Sequence, residues 1–451
     1  MTQSLTETLA GWLVQTRKRG FDRQILEIAR DYALDWLGSA LAGHATDAGA
    51  MLRTYAQRQP AGPCRVVGLT RGCAVETAAF VNGALSHIVE MDDIDRGSVV
   101  HPAAVIMPAA LAVAEREQAS GRDFLAAVVA GYEIAIRVGE AVGKAHYRYF
   151  HNTSTCGVFG AAAAAGWLLG LDREQFVWAF GNAGTQAAGL WEFNRDRAMS
   201  KHLHPGRAAA NGVLAADLAA IGFTGARRIL EGERGFFAAT AADARPERVL
   251  AGLGEAELKI KGASIKPHAS CRHTHSTIDA ALRLREQLEH PQAIGRVVVE
   301  TYQAALDLCD NPDPRTARGA KFSLQYCVAS ALARGHVALT DFSPQAIMEP
   351  PVRELLTRVS VQVDPSFEAV YPVAWPARVR VEMKDGRVLE ETVEHPKGDP
   401  ENPLTRSELK AKFRDLAAFG GFDNQIDAWL EWVEGLVEPG VMMSGARSTS
   451  N

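Results

Sequence analysis

The feature that most constrains this fold is a helical periodicity, rich in alanine and glycine, that runs through residues 1–261. Apolar residues recur at three- and four-residue spacing over residues 25–37, 77–89, 103–114, 124–142, 158–169, 173–188 and 208–221. Alternating patterns typical of strands are nearly absent from this part of the chain. Because alanine and glycine have small side chains, helices built from them pack closely. The sequence therefore predicts an all-helical domain over residues 1–264.

The pattern changes near Ala263 to one that mixes strands with helices. Strand-like runs occupy residues 296–300, 359–363, 377–383 and 388–393. The last two runs flank Asp385-Gly386, a pair typical of a hairpin turn. Helical stretches lie between the other runs, over residues 276–288, 322–333 and 352–359. These signals predict a smaller α+β domain over residues 265–394, inserted as a lid into the helical domain.

Helical periodicity returns after a proline-rich segment, residues 395–403. Helical patterns then cover residues 406–419 and 423–437. We therefore expect residues 395–451 to form a linker and C-terminal helices that rejoin the first domain, with a separate tail as the alternative. A chain of 451 residues exceeds one ordinary core, which agrees with such a division. The predicted fold class is mainly α.

Charge and cysteine content exclude several classes of protein. A formal net charge of −5 argues against nucleic acid as a partner, because neutralising phosphates requires a basic face. The six cysteines show neither a CxxC pair nor a spacing typical of a metal site, so we expect reduced thiols and no metal. A signal peptide and an apolar run of the ~20 residues that span a membrane are both missing from the sequence. We expect a cytoplasmic protein without a membrane partner.

Two clusters of charged residues suggest chemistry. Lys201 and His204 stand in a short cationic run, which favours an anionic ligand, although a solvated basic turn at a helix start is equally consistent. Glu90, Asp92 and Asp93 crowd three carboxylates at a predicted helix end. Repulsion among them would raise one pKa, which suits a general acid or base, whereas the plain alternative is an acidic capping loop.

Further candidates lie near predicted helix starts and near the domain boundary. His101 precedes Pro102 and should therefore stand at a helix N-terminus. His151 opens a polar stretch that either caps a helix or binds an anion there. The boundary segment Lys266–His275, with Cys271, would contribute contacts from a lid, or else form a surface loop. Tyr326 is either a core aromatic or a proton donor. We expect the functional residues to share one pocket.

Taken in order, these segments resemble the MmgE/PrpD family, which includes 2-methylcitrate dehydratase, cis-aconitate decarboxylase and iminodisuccinate epimerase. The resemblance is carried by residues 80–84, 87–93, 101–102, 131–133, 151–160, 201–209, 223–225, 321–323 and 396–405. It implies a large helical domain with a smaller α+β lid, and a homodimer. It also implies a cofactor-free enzyme that transfers a proton next to a carboxylate of a small di- or tricarboxylate.

The resemblance assigns roles by position. Glu90 and His101 match the acid/base pair of the family, and His151 and Lys201 match its pocket cations. Three further matches are a histidine after that lysine, a lid lysine and a lid tyrosine, namely His204, Lys266 and Tyr326. The remaining candidates are Asp92 and Asp93 as catalytic carboxylates, and Cys271 and His275 as substrate contacts.

The sequence departs from the family pattern at several of these positions. Glu90 replaces the usual aspartate, and Ile94 replaces a hydroxyl residue. His268-Ala269 stands where an aromatic-proline pair is usual. Residues 191–197 are also bulkier than the glycine- and threonine-rich stretch of the family. These changes alter the shape of the expected pocket while keeping its charge.

The function predicted from this sequence is a dehydratase-type lyase that removes a proton next to a carboxylate of a 2-methylcitrate-like substrate. An epimerase or racemase is the first alternative, and a decarboxylase of a cis-aconitate-like substrate is another. A carboxylate-binding protein without turnover is the alternative from a different class.

Overall fold

A computed structural model of the chain describes residues 4–196 and 198–443. It forms two compact units. The first comprises the described parts of Met1–Ile88, Asp92–Ala263 and Thr405–Asn451, and the second comprises Val89–Met91 and Ser264–Leu404. The acidic motif is thus divided, because Glu90 belongs to the second unit whereas Asp92 and Asp93 belong to the first.

The first unit consists almost entirely of helices, so the fold is mainly α as predicted. Its longer helices are Leu5–Arg19, Arg23–His44, Asp47–Gln57, Val75–Ser86, Pro102–Arg116, Gly121–Ala141, Gly157–Leu168, Arg173–Gly184, Ser200–Ala220, Arg406–Phe419 and Ile426–Gly435. Its shorter helices and 3-10 turns are Gly143–Tyr147, Asn152–Thr155, Phe193–Asp196, Phe236–Thr240, Pro246–Val249, Lys259–Gly262 and Asp423–Gln425. Extended segments are short: Ala61–Cys64, Ile94–Asp95 and Ala263–Ser264.

Small residues let the helices of this unit approach closely. A Cβ atom at Gly160 would lie 2.6 Å from the carbonyl oxygen of Gly131, on the neighbouring helix. That separation is shorter than van der Waals contact, so only glycine fits there without a shift of the backbone. The close packing predicted from the alanine- and glycine-rich sequence is therefore confirmed at this contact.

The second unit contains a four-stranded sheet in the spatial order Val359–Val363, Ile294–Thr301, Ala377–Met383 and Val388–Val393. The first pair is parallel and the other two pairs are antiparallel. The predicted hairpin is confirmed, since a turn at Asp385-Gly386 joins the last two strands and Gly386 has φ of 90°.

Short helices accompany this sheet in the second unit. They are His275–Glu286, Gln303–Cys309, Ala317–Lys321, Leu324–Arg334, Pro344–Ile347, Pro350–Leu356 and Pro365–Val370, with 3-10 turns Arg272–Thr274, Pro291–Ala293 and Leu339–Phe342. The helix His275–Glu286 packs against the hairpin strands.

One predicted helix boundary is wrong in a way that bears on function. The helix expected over residues 77–89 ends at Ser86, and an irregular segment leads from there to His101. Glu90 within it has φ of 61°, a left-handed conformation that an α-helix cannot contain. The apolar periodicity continues through Ile88 and Val89, which explains why the pattern overextended the helix.

The helix expected over residues 352–359 is likewise shifted, because Pro350–Leu356 is helical and Val359 already begins a strand. Among the described residues, no helix combines the length and the apolar character that crossing a bilayer requires.

Candidate active site

A buried cluster of imidazoles, one carboxylate and one ammonium group lies inside the first unit. Its members are His87, Asp92, His101, His151, Lys201 and His204, and all of them are buried. Charged and polar side chains are costly to bury unless they are paired, so such a concentration is typical of a functional site. We call these six residues the histidine cluster.

Asp92 links two of the imidazoles. Its Oδ2 lies 2.6 Å from Nδ1 of His87 and 3.2 Å from Nδ1 of His101. The rings of His87 and His101 meet edge to face, with centroids 4.9 Å apart. Burial alone would raise the pKa of Asp92, but the two imidazoles outweigh it and hold that pKa well below its ordinary value. Asp92 is therefore an ionised carboxylate shared by two histidines.

Local structure explains where His101 stands. It is the N-cap residue of the helix Pro102–Arg116, with Pro102 in the first turn, as the sequence predicted. Its backbone N–H donates to Oγ1 of Thr153 at 3.1 Å. The imidazole is therefore held at the positive end of a long helix.

Asp93 supports the same helix start. Its Oδ1 accepts the backbone N–H of Ala103 at 3.0 Å, and its Oδ2 accepts the hydroxyl of Tyr132 at 2.6 Å. Burial raises the pKa of Asp93 well above its ordinary value. Both oxygens of Asp93 are engaged, so the structure gives this residue a capping position behind His101.

His151 and His204 form the other half of the histidine cluster. Their Nδ1 atoms are 3.3 Å apart, and the ring of His151 stacks on that of His87 with centroids 5.5 Å apart. Burial, with the nearby cationic groups, lowers the pKa of His151 well below its ordinary value and lowers that of His204 to about 4. Both imidazoles are therefore neutral near pH 7, so they offer hydrogen bonds rather than the cationic charge expected of His151.

The unusual stretch that begins at Trp191 packs directly on these imidazoles. The Trp191 ring lies 4.8 Å from that of His151, and the Phe193 ring lies 5.2 Å from that of His204. The indole N–H of Trp191 donates to the carbonyl of Phe150 at 2.7 Å, which fixes the ring. Arg195 points to solvent, and Arg197 lies outside the described residues. Aromatic side chains thus form one wall of the histidine cluster.

In the second unit, Lys266 holds the segment that carries Glu90. The buried Nζ of Lys266 donates to the carbonyl of Glu90 at 3.3 Å and lies 3.8 Å from Oε2 of the same residue. Nζ of Lys321 donates to the carbonyl of Val89 at 2.7 Å. Two ammonium groups therefore support the left-handed conformation of Glu90, a costly backbone geometry of a kind that is concentrated at functional sites.

The remaining predicted residues of the second unit have partners within it. Nδ1 of His275 contacts Nη1 of Arg272 at 2.7 Å, and Nε2 of His275 lies 3.3 Å from the carbonyl of Ser270. Burial lowers the pKa of His275 well below its ordinary value, so its imidazole is neutral. Cys271 is half-buried, and its hydrogen bond with Cys309 lowers the pKa of the Cys271 thiol.

Tyr326 stands in the helix Leu324–Arg334, where its buried hydroxyl donates to the carbonyl of Asp341 and its ring packs on Phe342. These contacts are those of a core tyrosine.

His87 is the member of the histidine cluster that the sequence did not single out as a candidate, although it opens the motif 87–93 and precedes Asp92 by five residues.

Two groups of side chains have donor atoms close enough together to suggest a metal site. In the described part of the chain, donor atoms of His87, Asp92 and His101 lie within 4.8 Å of one another, as do those of a second group, His395, Asp399 and Glu401. The 2.6 Å contact of His87 with Asp92 is a direct hydrogen bond, shorter than the roughly 3 Å that separates two ligand atoms bound at ~2 Å to one ion. In the second group, Arg272 pairs with Asp399. We assign neither group to a metal.

Comparison with known proteins covers nearly the whole chain. Residues 7–249 match the MmgE/PrpD N-terminal domain, and residues 268–432 match the MmgE/PrpD C-terminal domain. These matches include the histidine cluster in the first domain and Tyr326 in the second.

Individual relatives agree with this assignment. A cis-aconitate decarboxylase-like protein, oryM, of Aspergillus oryzae is 30% identical over 442 residues, which cover 92% of this chain and 91% of the relative. A cis-aconitate decarboxylase of Aspergillus terreus is 29% identical over 446 residues, covering 92% of this chain and 89% of the relative. The cis-aconitate decarboxylase of Homo sapiens is 28% identical over 442 residues, covering 93% and 89%. This chain therefore belongs to the MmgE/PrpD family.

Proposed function

We propose that this protein is a lyase of the decarboxylase type that acts on a small unsaturated tricarboxylate resembling cis-aconitate. The observation that carries the proposal is the histidine cluster, in which a buried ionised carboxylate, Asp92, touches His101 while Lys201 supplies a buried positive charge. The sequence favoured dehydration of a 2-methylcitrate-like substrate. Similarity along the whole chain to proteins named as cis-aconitate decarboxylases now favours decarboxylation.

The reaction requires one proton and the loss of one carboxylate. The bond between carbon and the leaving carboxylate breaks, CO₂ departs, and the electron pair forms a new carbon–carbon double bond. The former double bond moves its pair to a carbon next to another carboxylate, and that carbon accepts a proton. Negative charge therefore develops on the neighbouring carboxylate as an enediolate, which positioned donors and cations stabilise.

We assign His101 as the donor of that proton. An imidazole beside an ionised carboxylate readily carries a second proton, and Asp92 is such a carboxylate. The N-cap position and the hydrogen bond to Thr153 hold the ring in one place. In a dehydratase or an epimerase, the neutral form of His101 would instead remove a proton from the substrate. The direction of proton transfer therefore distinguishes decarboxylation from these two alternatives.

Lys201, His151 and His204 are assigned to the substrate carboxylates. Lys201 contributes charge, and the two neutral imidazoles contribute hydrogen-bond donors in a site largely closed to water. Low local polarity strengthens each of these interactions. In the second unit, the Glu90 carboxylate 3.8 Å from Nζ of Lys266 marks a position that attracts anions, whereas the substrate contacts expected of Lys266, Cys271 and His275 stay predictions from the family resemblance. We assign Tyr326 a structural role. We also propose a homodimer, on the family resemblance alone.

The test is proton NMR of the purified protein in D₂O with cis-aconitate, 2-methylcitrate, citrate and iminodisuccinate. Decarboxylation predicts two new methylene-vinyl signals from cis-aconitate, deuterium beside the retained carboxylate, and release of CO₂. New vinyl signals from 2-methylcitrate or citrate without CO₂ would instead support the dehydratase, and deuterium exchange without net conversion would support the epimerase. Tight binding of the whole panel without any exchange would leave a carboxylate-binding protein.

A further inference from the structure

His87 is completely buried, and only one of its two ring nitrogens has a hydrogen-bond partner among the described residues. Its Nδ1 lies 2.6 Å from Oδ2 of Asp92, closer to that oxygen than Nδ1 of His101 at 3.2 Å. Because an ionised carboxylate only accepts hydrogen bonds, His87 carries its hydrogen on Nδ1. The Nε2 of His87 and the Oδ1 of Asp92 are buried and have no hydrogen-bond partner among the described residues. The contact with Asp92 is thus what orients the His87 imidazole.

Two imidazoles therefore compete for one oxygen atom. A carboxylate that accepts a short hydrogen bond from one donor has less negative charge to offer the second. The Asp92–His101 contact is the longer of the two, as this competition predicts. A histidine that only filled space would not need its Nδ1 hydrogen at this position.

We propose that His87 is a positioning residue that acts through Asp92, weakening the hold of this carboxylate on the His101 proton and so making His101 a better proton donor. The inference rests on the proposed function, in which His101 delivers a proton to carbon. His87 itself is fully enclosed, so it reaches the reaction only through Asp92.

Other titratable groups of the first unit lie near Asp92 and the rings of His87 and His101. They are His151 on the ring of His87, His204 and Lys201 on the helix Ser200–Ala220, and Asp93, next to Asp92, with its partner Tyr132. His87→Asn and His87→Leu both remove the imidazole that stacks on His151 and, in addition to burial, lowers the pKa of His151 and His204, so the difference between the two variants isolates the contact with Asp92.

The experiment is a histidine NMR titration of the full chain without substrate, with His101→Gln used to assign the His101 signal. His87→Asn keeps an amide N–H close to the position of Nδ1, whereas His87→Leu removes the donor at similar volume. We expect the titration midpoint of His101 to rise by about one pH unit in His87→Leu, since a hydrogen bond to a charged group contributes on the order of 1.5 kcal/mol. In His87→Asn it should stay within a few tenths of the original value.

The proposal is overturned if folded His87→Leu leaves the His101 midpoint unchanged, or if His87→Asn moves it equally. Should His87→Leu fail to fold, His87→Gln replaces it, because its longer side chain carries the amide past the Nδ1 position. The alkaline limb of kcat/KM should move upward with the His101 midpoint while KM stays constant. Because the NMR titration needs no turnover, a shift of His101 in a protein that fails to decarboxylate would disprove the proposed function and leave the coupling intact.

Discussion

At the scale of single residues, the candidate site is defined by charged groups that are buried together in the histidine cluster. Lys201, near the start of a helix, is buried in the same cluster as an ionised Asp92, and between them stand imidazoles that burial keeps neutral. The cluster thus holds one fixed positive and one fixed negative group within a set of hydrogen-bond donors. In the proposed reaction, the positive group and the hydrogen-bond donors would stabilise the developing enediolate.

The first prediction concerns this positive charge. Lys201→Ala should lower kcat for the substrate found by NMR by about 100-fold or more, since removing one positioned electrostatic group commonly has such an effect. Circular dichroism should remain that of the parent protein. Lys384→Ala, at an exposed hairpin lysine, is the matched control and should retain full activity. Near-normal turnover of Lys201→Ala would contradict the assigned role.

At the scale of elements, the segments that carry the histidine cluster are supported by helices that pack through glycine and alanine. The helix Gly157–Leu168 follows the His151 segment and touches Gly121–Ala141 at the Gly131–Gly160 contact. The carboxylate of Asp93 joins Tyr132 of that second helix to the helix start behind His101. The positions of His101 and His151 therefore depend on the same close helix packing.

The second prediction tests this packing. Gly160→Ala should reduce the free energy of unfolding by about 2 kcal/mol, because its methyl group would collide with the backbone carbonyl of Gly131 and the helices must separate. Gly435→Ala is the control, since a Cβ there meets only Val441 at an ordinary 3.9 Å. Urea unfolding of both variants measures the difference. Equal free energies of unfolding for the two variants would show that the helices accommodate the added methyl group without loss of stability.

At the scale of the whole molecule, buried neutral histidines make stability depend on pH. Burial lowers the pKa of His44, His146 and His204 to about 4 and that of His273 to about 3. An unfolded chain protonates such residues near pH 6.5, so it binds more protons than the folded chain between that pH and about 4. Acidification through this interval therefore favours unfolding through each of them, whereas the raised pKa of Asp31 and of Glu115, both to about 7, acts in the opposite direction.

The third prediction isolates one of these histidines. His146 is fully buried, with Nε2 2.8 Å from Oγ1 of Thr155. Its linkage should contribute a loss of about 2 kcal/mol between pH 7 and pH 5, which His146→Phe would remove. The measurement is the difference in urea stability between the two pH values for parent and variant. The same pH dependence in both proteins would mean that the pKa of His146 is equal in the folded and unfolded states, and so would contradict the lowered value.

Sequence alone determined the mainly α class, the hairpin at Asp385-Gly386 and the N-terminal position of His101, because these follow from local periodicity, turn chemistry and the placement of proline. Its motifs also singled out His101, His151, Lys201 and His204. Only tertiary structure decided that Asp92 bridges His87 and His101, that Asp93 caps a helix, and that His151 is neutral. Hydrogen-bond partners and burial depend on residues distant in the chain, and no local pattern reports them. The prediction that the helix continues past Ser86 was wrong for the same reason. Glu90 adopts a left-handed conformation, and Lys266, which is distant in the sequence, supports it.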